Sequence, residues 1–500
     1  MSLRGLYRST SFLSQAPMGP QSYMKDVPQD PVTLMVAAIS TGATVAVAGV
    51  GISAFAFAGY LGAQAVFASF AFNVALGYAL NALTPKSNLG NASGGYGVNV
   101  NALSSNAPTQ VVYGRTRVGG VVFYQVVFGS RLYQYIAFAD HEIDSFEEVY
   151  FNDDKVLTKT GTPESNWRVD VLLQSDDLIR FTTGLYYRER FGTLDQEYVS
   201  SLSGQWTQDH LASGVAYLAP YYDFDASEYP NGVPVISAII RGKKVYDPRT
   251  GETAFTDSSD VEIGRNPALI LRDYLIYSGI AEASEIDDDA FNAAANICDE
   301  DVTLTGGGTE KRYRCDGAFT TEENPTDIIK SIISTMGGMV WYSTGKWSCK
   351  AAAYTTPVIV LDEDDLRSGI QISTRRSRRE SFNKVVGQFR GDETSWQPTN
   401  FPEVKSDVFV GIDGGEESTL ELDLPFVSTS TQAQRIAKIA LYRNREQLKI
   451  NGSFGMRALQ LSVGDIVKIT NNRLGFVEKQ FEIVEWSFGL NSEMALQIAM

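Results

Sequence analysis

The sequence predicts an α+β protein of several domains, mainly antiparallel β, preceded by an apolar Ala/Gly-rich helical hairpin. Three observations carry this. Residues 31 to 85, from Pro31 to Pro85, hold no charged side chain and are built of Ala, Gly, Val, Phe, Ser and Thr. The polar, acidic body that follows is dominated by β-branched and aromatic runs of strand length. Helix signals fall in two places only, residues 266 to 336 and residues 431 to 445.

The apolar stretch accommodates two helices broken near Gly59-Tyr60-Leu61-Gly62, each long enough for a bilayer. Its small residues, among them Gly42, Ala46, Gly49 and Gly51, let helix backbones approach closely. It lacks the Leu-rich density and the Lys/Arg flanks of an ordinary anchor. Three readings stay open: a two-pass membrane hairpin, a hairpin buried inside an oligomer, and a segment stored in protein and released later. The polar arm before it, residues 1–30, is unlike a secretion signal. After it, residues 86–105 form a Gly/Asn/Ser linker.

Strands are expected at Val111–Tyr113, Val121–Tyr124, Leu132–Phe138 and Phe146–Asn152, with a turn at Asn152-Asp153-Asp154. Gly114 to Gly120 reads as a turn. Residues 161–232, rich in Tyr, Asp and Ser, read as an inserted domain with a short strand at Ala216–Leu218. Val235–Arg241 is a strong strand leading to an Asp247-Pro248 and Thr250-Gly251 turn. Residues 266–352 form a small α+β unit. Asn266 caps and Pro267 opens a helix to Tyr277; Asp287 to Ile297 is a second; Thr326 is expected to cap a third, stopped by Gly337-Gly338. A hairpin crosses Ser343-Thr344-Gly345. Beyond residue 353, strands surround a helix over Thr431–Arg445, with Leu459–Leu461, Asp465–Ile469 and Phe481–Trp486 among them. The chain stops at Met500 within a strand-like run, as the front part of a longer polypeptide would.

Net charge is −17 and the sequence pI about 4.7, which speaks against a dedicated, sequence-specific nucleic-acid binder and fits a soluble assembly component or a lumen wall that repels DNA. Cys298, Cys315 and Cys349 are widely spaced and form no Cys-x-x-Cys pair. With only His141 and His210 besides, a zinc site or a Ser-His-Asp triad is poorly supplied. Acidic clusters such as Asp362-Glu363-Asp364-Asp365 read as solvated turns, and Gly306-Gly307-Gly308 lacks the Gly-Lys-Ser/Thr of a phosphate loop. No catalytic residue, metal ligand or cofactor is expected. The basic run Arg375-Arg376-Ser377-Arg378-Arg379 reads as a partner for carboxylates of this chain or a neighbouring subunit.

Several motifs recur in one order: Tyr113-Gly114-Arg115-Thr116-Arg117-Val118-Gly119-Gly120, Arg241-Gly242-Lys243-Lys244-Val245-Tyr246-Asp247-Pro248-Arg249-Thr250-Gly251, and Asn266-Pro267-Ala268 with Asp273-Tyr274-Leu275. Weaker matches are Gly337-Gly338 to Trp347, Phe382-Asn383-Lys384-Val385, Gln434-Arg435-Ile436-Ala437 and Gly464-Asp465-Ile466-Val467. In this order, from Val111 to Trp486, the chain resembles the hub proteins of long-tailed phages, the J-type tip attachment proteins of lambda-like siphophages.

The resemblance implies a structural, non-enzymatic virion protein at the distal end of the tail. It would be a homotrimer whose two tube-like β-barrel domains per chain, residues 106–160 with 233–265 and residues 353–500, complete a pseudo-sixfold ring. Such a hub closes the tube and takes part in host attachment and DNA ejection. Expected partners are the distal tail or tail tube protein ring, the tape-measure protein, other tail tip proteins, and the host membrane during ejection. Arg115, Arg117, Arg241, Lys243, Lys244, Arg249, Arg375, Arg376, Arg378 and Arg379 are candidate intersubunit contacts. Val45, Val47, Val50, Phe55, Phe57, Phe67, Phe70 and Phe72 are candidates for an axial bundle or a membrane-active segment. A membrane-anchored bacterial surface protein with a β-rich ectodomain and a tail-associated cell-wall hydrolase are the alternatives.

Overall fold

The computed structural model describes residues 108–499 except 129–130, 161–166, 175–176, 181–184, 201–205, 224–232, 375–376, 378–379 and 490–494. The arm, the apolar hairpin and the linker lie outside the described residues. So do Val45, Val47, Val50, Phe55, Phe57, Phe67, Phe70 and Phe72, and the four arginines Arg375, Arg376, Arg378 and Arg379. Among the described residues no helix is long and apolar enough to cross a membrane.

The first half is one large sheet. Its strands are β1 (Gln110–Tyr113), β2 (Arg115–Gly119), β3 (Val121–Phe128), β4 (Arg131–Ala139), β5 (Ile143–Phe151), β6 (Asp154–Thr160), β7 (Trp167–Gln174), β8 (Asp177–Arg180), β9 (Leu185–Tyr187), β10 (Glu189–Phe191), β11 (Ala216–Leu218), β12 (Tyr221–Asp223) and β13 (Ile236–Lys243). Twelve of them, all but β1, join in the order β10-β11-β4-β12-β9-β7-β6-β5-β13-β2, with β3 on β4 and β8 on β7. All these pairings are antiparallel, and the sheet curls until β10 lies against β5. The curl is what lets one sheet enclose its own core of Val118, Ile136, Phe138, Ile143, Val149, Phe151, Ile236, Ala238 and Ile240. Strands from residues 161–232 hydrogen-bond into this same sheet: β7 pairs with β6, and β11 and β12 pair with β4.

One local expectation changes here. The segment 114–120 is mostly strand: β2 runs beside β13, with Arg115 opposite Arg241 and Val118 opposite Ala238. Only Gly114 turns, at φ +67°, and a Cβ there would sit 2.1 Å from the Cys315 carbonyl oxygen. The glycines signal a turn in the sequence, and in the fold Gly114 also lets backbones touch. The Gly242 N–H donates to Gly114 O at 2.8 Å, so the two most specific motifs of the sequence meet at one backbone crossing. The Asn152-Asp153 turn forms as expected, with both residues left-handed at φ 51° and 72°.

The hairpin of β14 (Val245–Asp247) and β15 (Glu252–Ala254) leads into the helices. Helix α1 (Pro267–Tyr277) is capped by Asn266, whose side chain accepts from the Ala268 and Leu269 N–H groups. Helix α2 (Asp288–Cys298) is capped by Asp287. The strands β16 (Asp301–Thr303), β17 (Thr309–Lys311) and β18 (Gly317–Thr320) follow, then α3 (Pro325–Thr335). The cap of α3 is Asn324, not Thr326: its side chain accepts from the Thr326 N–H, and Pro325 takes the first helical position. The chain thus uses the same Asn-Pro start twice, because proline lacks the N–H that a first helical residue would leave unpaired. Ile328, Ile329, Ile332, Ile333 and Met336 are buried as their spacing requires. The hairpin of β19 (Met339–Ser343) and β20 (Lys346–Lys350) turns through left-handed Thr344 and Gly345.

The C-terminal part contains β21 (Ile359–Leu361), β22 (Gln371–Ser373), β23 (Lys384–Phe389), β24 (Thr399–Asn400), β25 (Val404–Lys405), α4 (Asp407–Ile412), β26 (Thr419–Asp423), α5 (Ser430–Arg445), β27 (Lys449–Phe454), β28 (Ile466–Asn471), β29 (Phe476–Glu482), β30 (Glu485–Gly489) and β31 (Ala495–Ala499). They form three small sheets, β21-β28-β29, β22-β27-β31-β30, and β23 with β24, β25 and β26. Two pairings, β21 with β28 and β23 with β26, are parallel; the rest are antiparallel. Leu459 and Gln460 belong to a 3-10 turn over Met456–Gln460 rather than to a strand. The run 481–486 is broken between β29 and β30, because the Gly464 and Ile483 backbones pair across that break.

Candidate functional site at the seam around Asp316

The residue between Cys315 and β18 is a fully buried aspartate. The Asp316 carboxylate accepts from the Arg115 N–H at 2.8 Å, from Arg265 Nε at 2.8 Å and Nη2 at 2.7 Å, and from the Ser428 hydroxyl. Its own N–H donates to Phe426 O at 2.9 Å. One carboxylate therefore ties together β2, the entrance to α1, β18 and the loop before α5. Burial by itself pushes its pKa up. The Arg265 charge and the accepted hydrogen bonds outweigh that and hold it below the usual value. Burial works against the charge on Arg265 as well, and its carboxylate partners Asp316 and Glu262 more than restore it.

Around this centre lies a cleft of about 510 Å³. Arg115, Arg241 and Arg265 line it together with Glu147, Glu262, Asp392, Glu393, Trp396 and Ser428 to Thr431. Arg115 is held by Glu147, at 2.6 Å and 3.0 Å, and by Asp392. Among the described residues, no three His, Cys, Asp or Glu side chains are arranged to hold a metal ion.

Each described cation among the candidate contacts has a carboxylate in its own chain. Arg117 reaches Asp153 at 2.5 Å and Ser237 Oγ, and lies over the Tyr150 ring at 4.0 Å. Arg241 meets Asp144 at 3.1 Å and the Thr256 hydroxyl, over Phe255. Lys243 donates to Asp273 at 2.6 Å, where the Tyr113 hydroxyl also donates at 2.5 Å; Lys244 reaches Glu142 at 2.6 Å. Arg249 grips Asp247, Asn296 and Asp299, which braces the Asp-Pro turn against the end of α2. The structure thus brings Arg115 and Arg241 to the cleft and leaves the other four elsewhere, Arg117 on β2, Lys243 and Lys244 at the end of β13 and Arg249 in the β14–β15 turn.

Two buried groups support the seam. His141 accepts the Val112 N–H at Nε2, 2.9 Å away, and its Nδ1 donates to Glu142 O at 2.8 Å, which makes it a neutral ring. Burial lowers its pKa to about 4. The three cysteines are free and buried, and burial raises their pKa values, so thiolate is disfavoured. Asp316, Arg265 and Ser428 escaped the reading of motifs. The only hint was that Arg265 adjoins Asn266-Pro267, since nothing in a sequence links residues 51 and 112 positions apart.

Residues 324–486 match the model of a family described as putative phage tail protein. The tip attachment protein J of Escherichia phage SECphi27 is 23% identical over 273 residues, 50% of this chain and 22% of that protein. The chain thus spans under a quarter of that relative's length. Among solved structures, a protein of the virion of a native gene transfer agent particle shares the fold at a TM-score of 0.57 and 15% identity, over 85% of this chain and 92% of that one. The 43 kDa tail protein of prophage MuSo2 from Shewanella oneidensis aligns over 79% of this chain and 93% of its own at 10% identity, with a TM-score of 0.29. The mainly antiparallel β fold, the family match over residues 324–486 and the match over half of the chain agree, and the chain is a relative of phage tail structural proteins that include a J-type tip attachment protein.

Proposed function

We propose that this chain is the trimeric hub of a phage tail tip, a structural virion protein without enzymatic activity that closes the distal end of the tail tube. The observation that carries the reading is the match to a tip attachment protein over half of the chain. The two β-rich parts of each chain would alternate around the axis, so three copies meet a sixfold tube. The hub's partners would be the tail tube ring, the tape-measure protein and other tip proteins. Its role would extend to host attachment and DNA ejection. The net charge of −17 suits a wall past which DNA must slide without sticking.

Of the described candidate intersubunit contacts, Lys244 and Arg241 have side chains 36% and 28% exposed beside their own carboxylate partners, and these two would be the ones to meet a neighbouring copy. Residues 31–85 would bundle on the axis or be expelled toward the host membrane. The mass of the purified full chain tests the oligomer: three copies are expected, and a stable dimer or tetramer would rule the hub out. Deleting residues 31–85 and measuring tail assembly and potassium efflux from infected cells tests the segment. Normal values for both would remove its two roles.

A further inference from the structure

We propose that Gly391–Trp396 is a latch that fastens the first sheet to the start of α5 and is built to release. The segment is one tight turn, in which the N–H groups of Thr394 and Trp396 donate to Gly391 O at 3.0 Å and 2.9 Å, and that of Ser395 to Asp392 O at 3.1 Å. Its two carboxylates reach different residues that line the cleft. Asp392 accepts from Arg115 of β2, while Glu393 accepts from the Ser430 N–H at 2.6 Å and the Ser430 hydroxyl at 3.2 Å. The turn thus bridges two elements that are more than 300 residues apart in the chain and that both line the cleft.

The forces on this turn oppose one another. Ser395 and Trp396 are consecutive left-handed residues, at φ 51° and 62°, a region that any side chain with a Cβ disfavours. The Trp396 ring wedges between the cleft and a smaller cavity bounded by Thr116, Ala318 and Phe426. Its Nε1 is buried without a hydrogen-bond partner. Both features cost free energy in the closed state and are relieved when the turn lifts. The holding contacts are of the kind that salt weakens, since the Asp392 side chain is 58% exposed. Lifting the turn leaves the buried Asp316 centre in place, because none of its partners belongs to residues 391–396. The latch rests on contacts within one chain and stands or falls separately from the trimeric hub.

Hydrogen exchange of the full chain, followed by mass spectrometry or NMR, tests it. The amides of Ser395, Trp396 and Ser430 report the latch, and those of Ala238 and Val149 in the β13–β5 ladder serve as the reference. The latch amides are expected to exchange faster than the reference, and about fivefold faster again in 1 M salt or in Asp392→Asn. Ser395→Gly removes a Cβ from a left-handed position and is expected to slow them by a similar factor. It also keeps the test alive if Asp392→Asn fails to fold. Latch amides that exchange only together with the reference ladder, or that ignore salt and both substitutions, would overturn the proposal.

Discussion

Removing the Asp316 carboxylate is the sharpest test of how the halves are joined. Asp316→Ala deletes the acceptor for the Arg115 N–H, for two Arg265 N–H groups and for the Ser428 hydroxyl. Breaking a buried ion pair from one side costs about 3–5 kcal/mol, chiefly because the other charge stays buried. Arg265 keeps Glu262 at 2.9 Å, which places the expected loss near the lower end, about 3 kcal/mol. Asp316→Asn retains one acceptor oxygen and should lose less, about 2 kcal/mol. For a chain of this size, about 3 kcal/mol corresponds to a fall in Tm on the order of 3 °C, followed by calorimetry at fixed scan rate. The partner substitution Arg265→Met separates pair from context: if the two groups act as one unit, the double variant is more stable than the sum of the single losses predicts, by at least about 1 kcal/mol. A loss under about 1 kcal/mol for Asp316→Ala, or strict additivity with Arg265→Met, would refute the idea that this carboxylate organises the seam.

Gly114→Ala should cost about 3 kcal/mol or more, since the new Cβ would meet Cys315 O at 2.1 Å with φ at +67°. Gly251→Ala, at φ +77° in open space, should cost only about 1 kcal/mol, and equal losses in thermal melts would remove the close-approach argument. His141 titrates at about 4 in the fold against 6.5 when free, so between those values the unfolded chain binds the extra proton. Stability is therefore complete above pH 6.5 and falls by about 3 kcal/mol as pH drops to 4. Urea melts across that range check this against His141→Gln, which should lose that part of the slope. Asn324→Ala should destabilise by about 1 kcal/mol through the α3 cap, whereas Thr326→Ala should be close to neutral. The reverse order in the same melts would restore Thr326 as the cap.

Local rules carried far along this chain. Runs of β-branched, aromatic and apolar residues marked β3, β4, β5 and β13; Asn266-Pro267 and the Gly337-Gly338 stop placed two helices; and the Asn152-Asp153 and Thr344-Gly345 hairpin turns fell where their residue types put them. These features are legible because backbone preference and side-chain spacing act over a few neighbouring residues. The errors were also local in origin. Glycines at 114, 119 and 120 point locally to a turn, yet Gly119 lies in β2 and Gly114 and Gly120 flank it, where a Cβ would collide with neighbouring segments. Tertiary structure alone decided that β7 to β12 join the first sheet, that the motifs at 114 and 242 cross, and that every described candidate cation finds its carboxylate in the same chain. It also chose Asp316 as the joint. A buried charge must be neutralised by whatever the fold brings within about 3 Å, and that choice is made by packing between distant segments, which no spacing along the chain records.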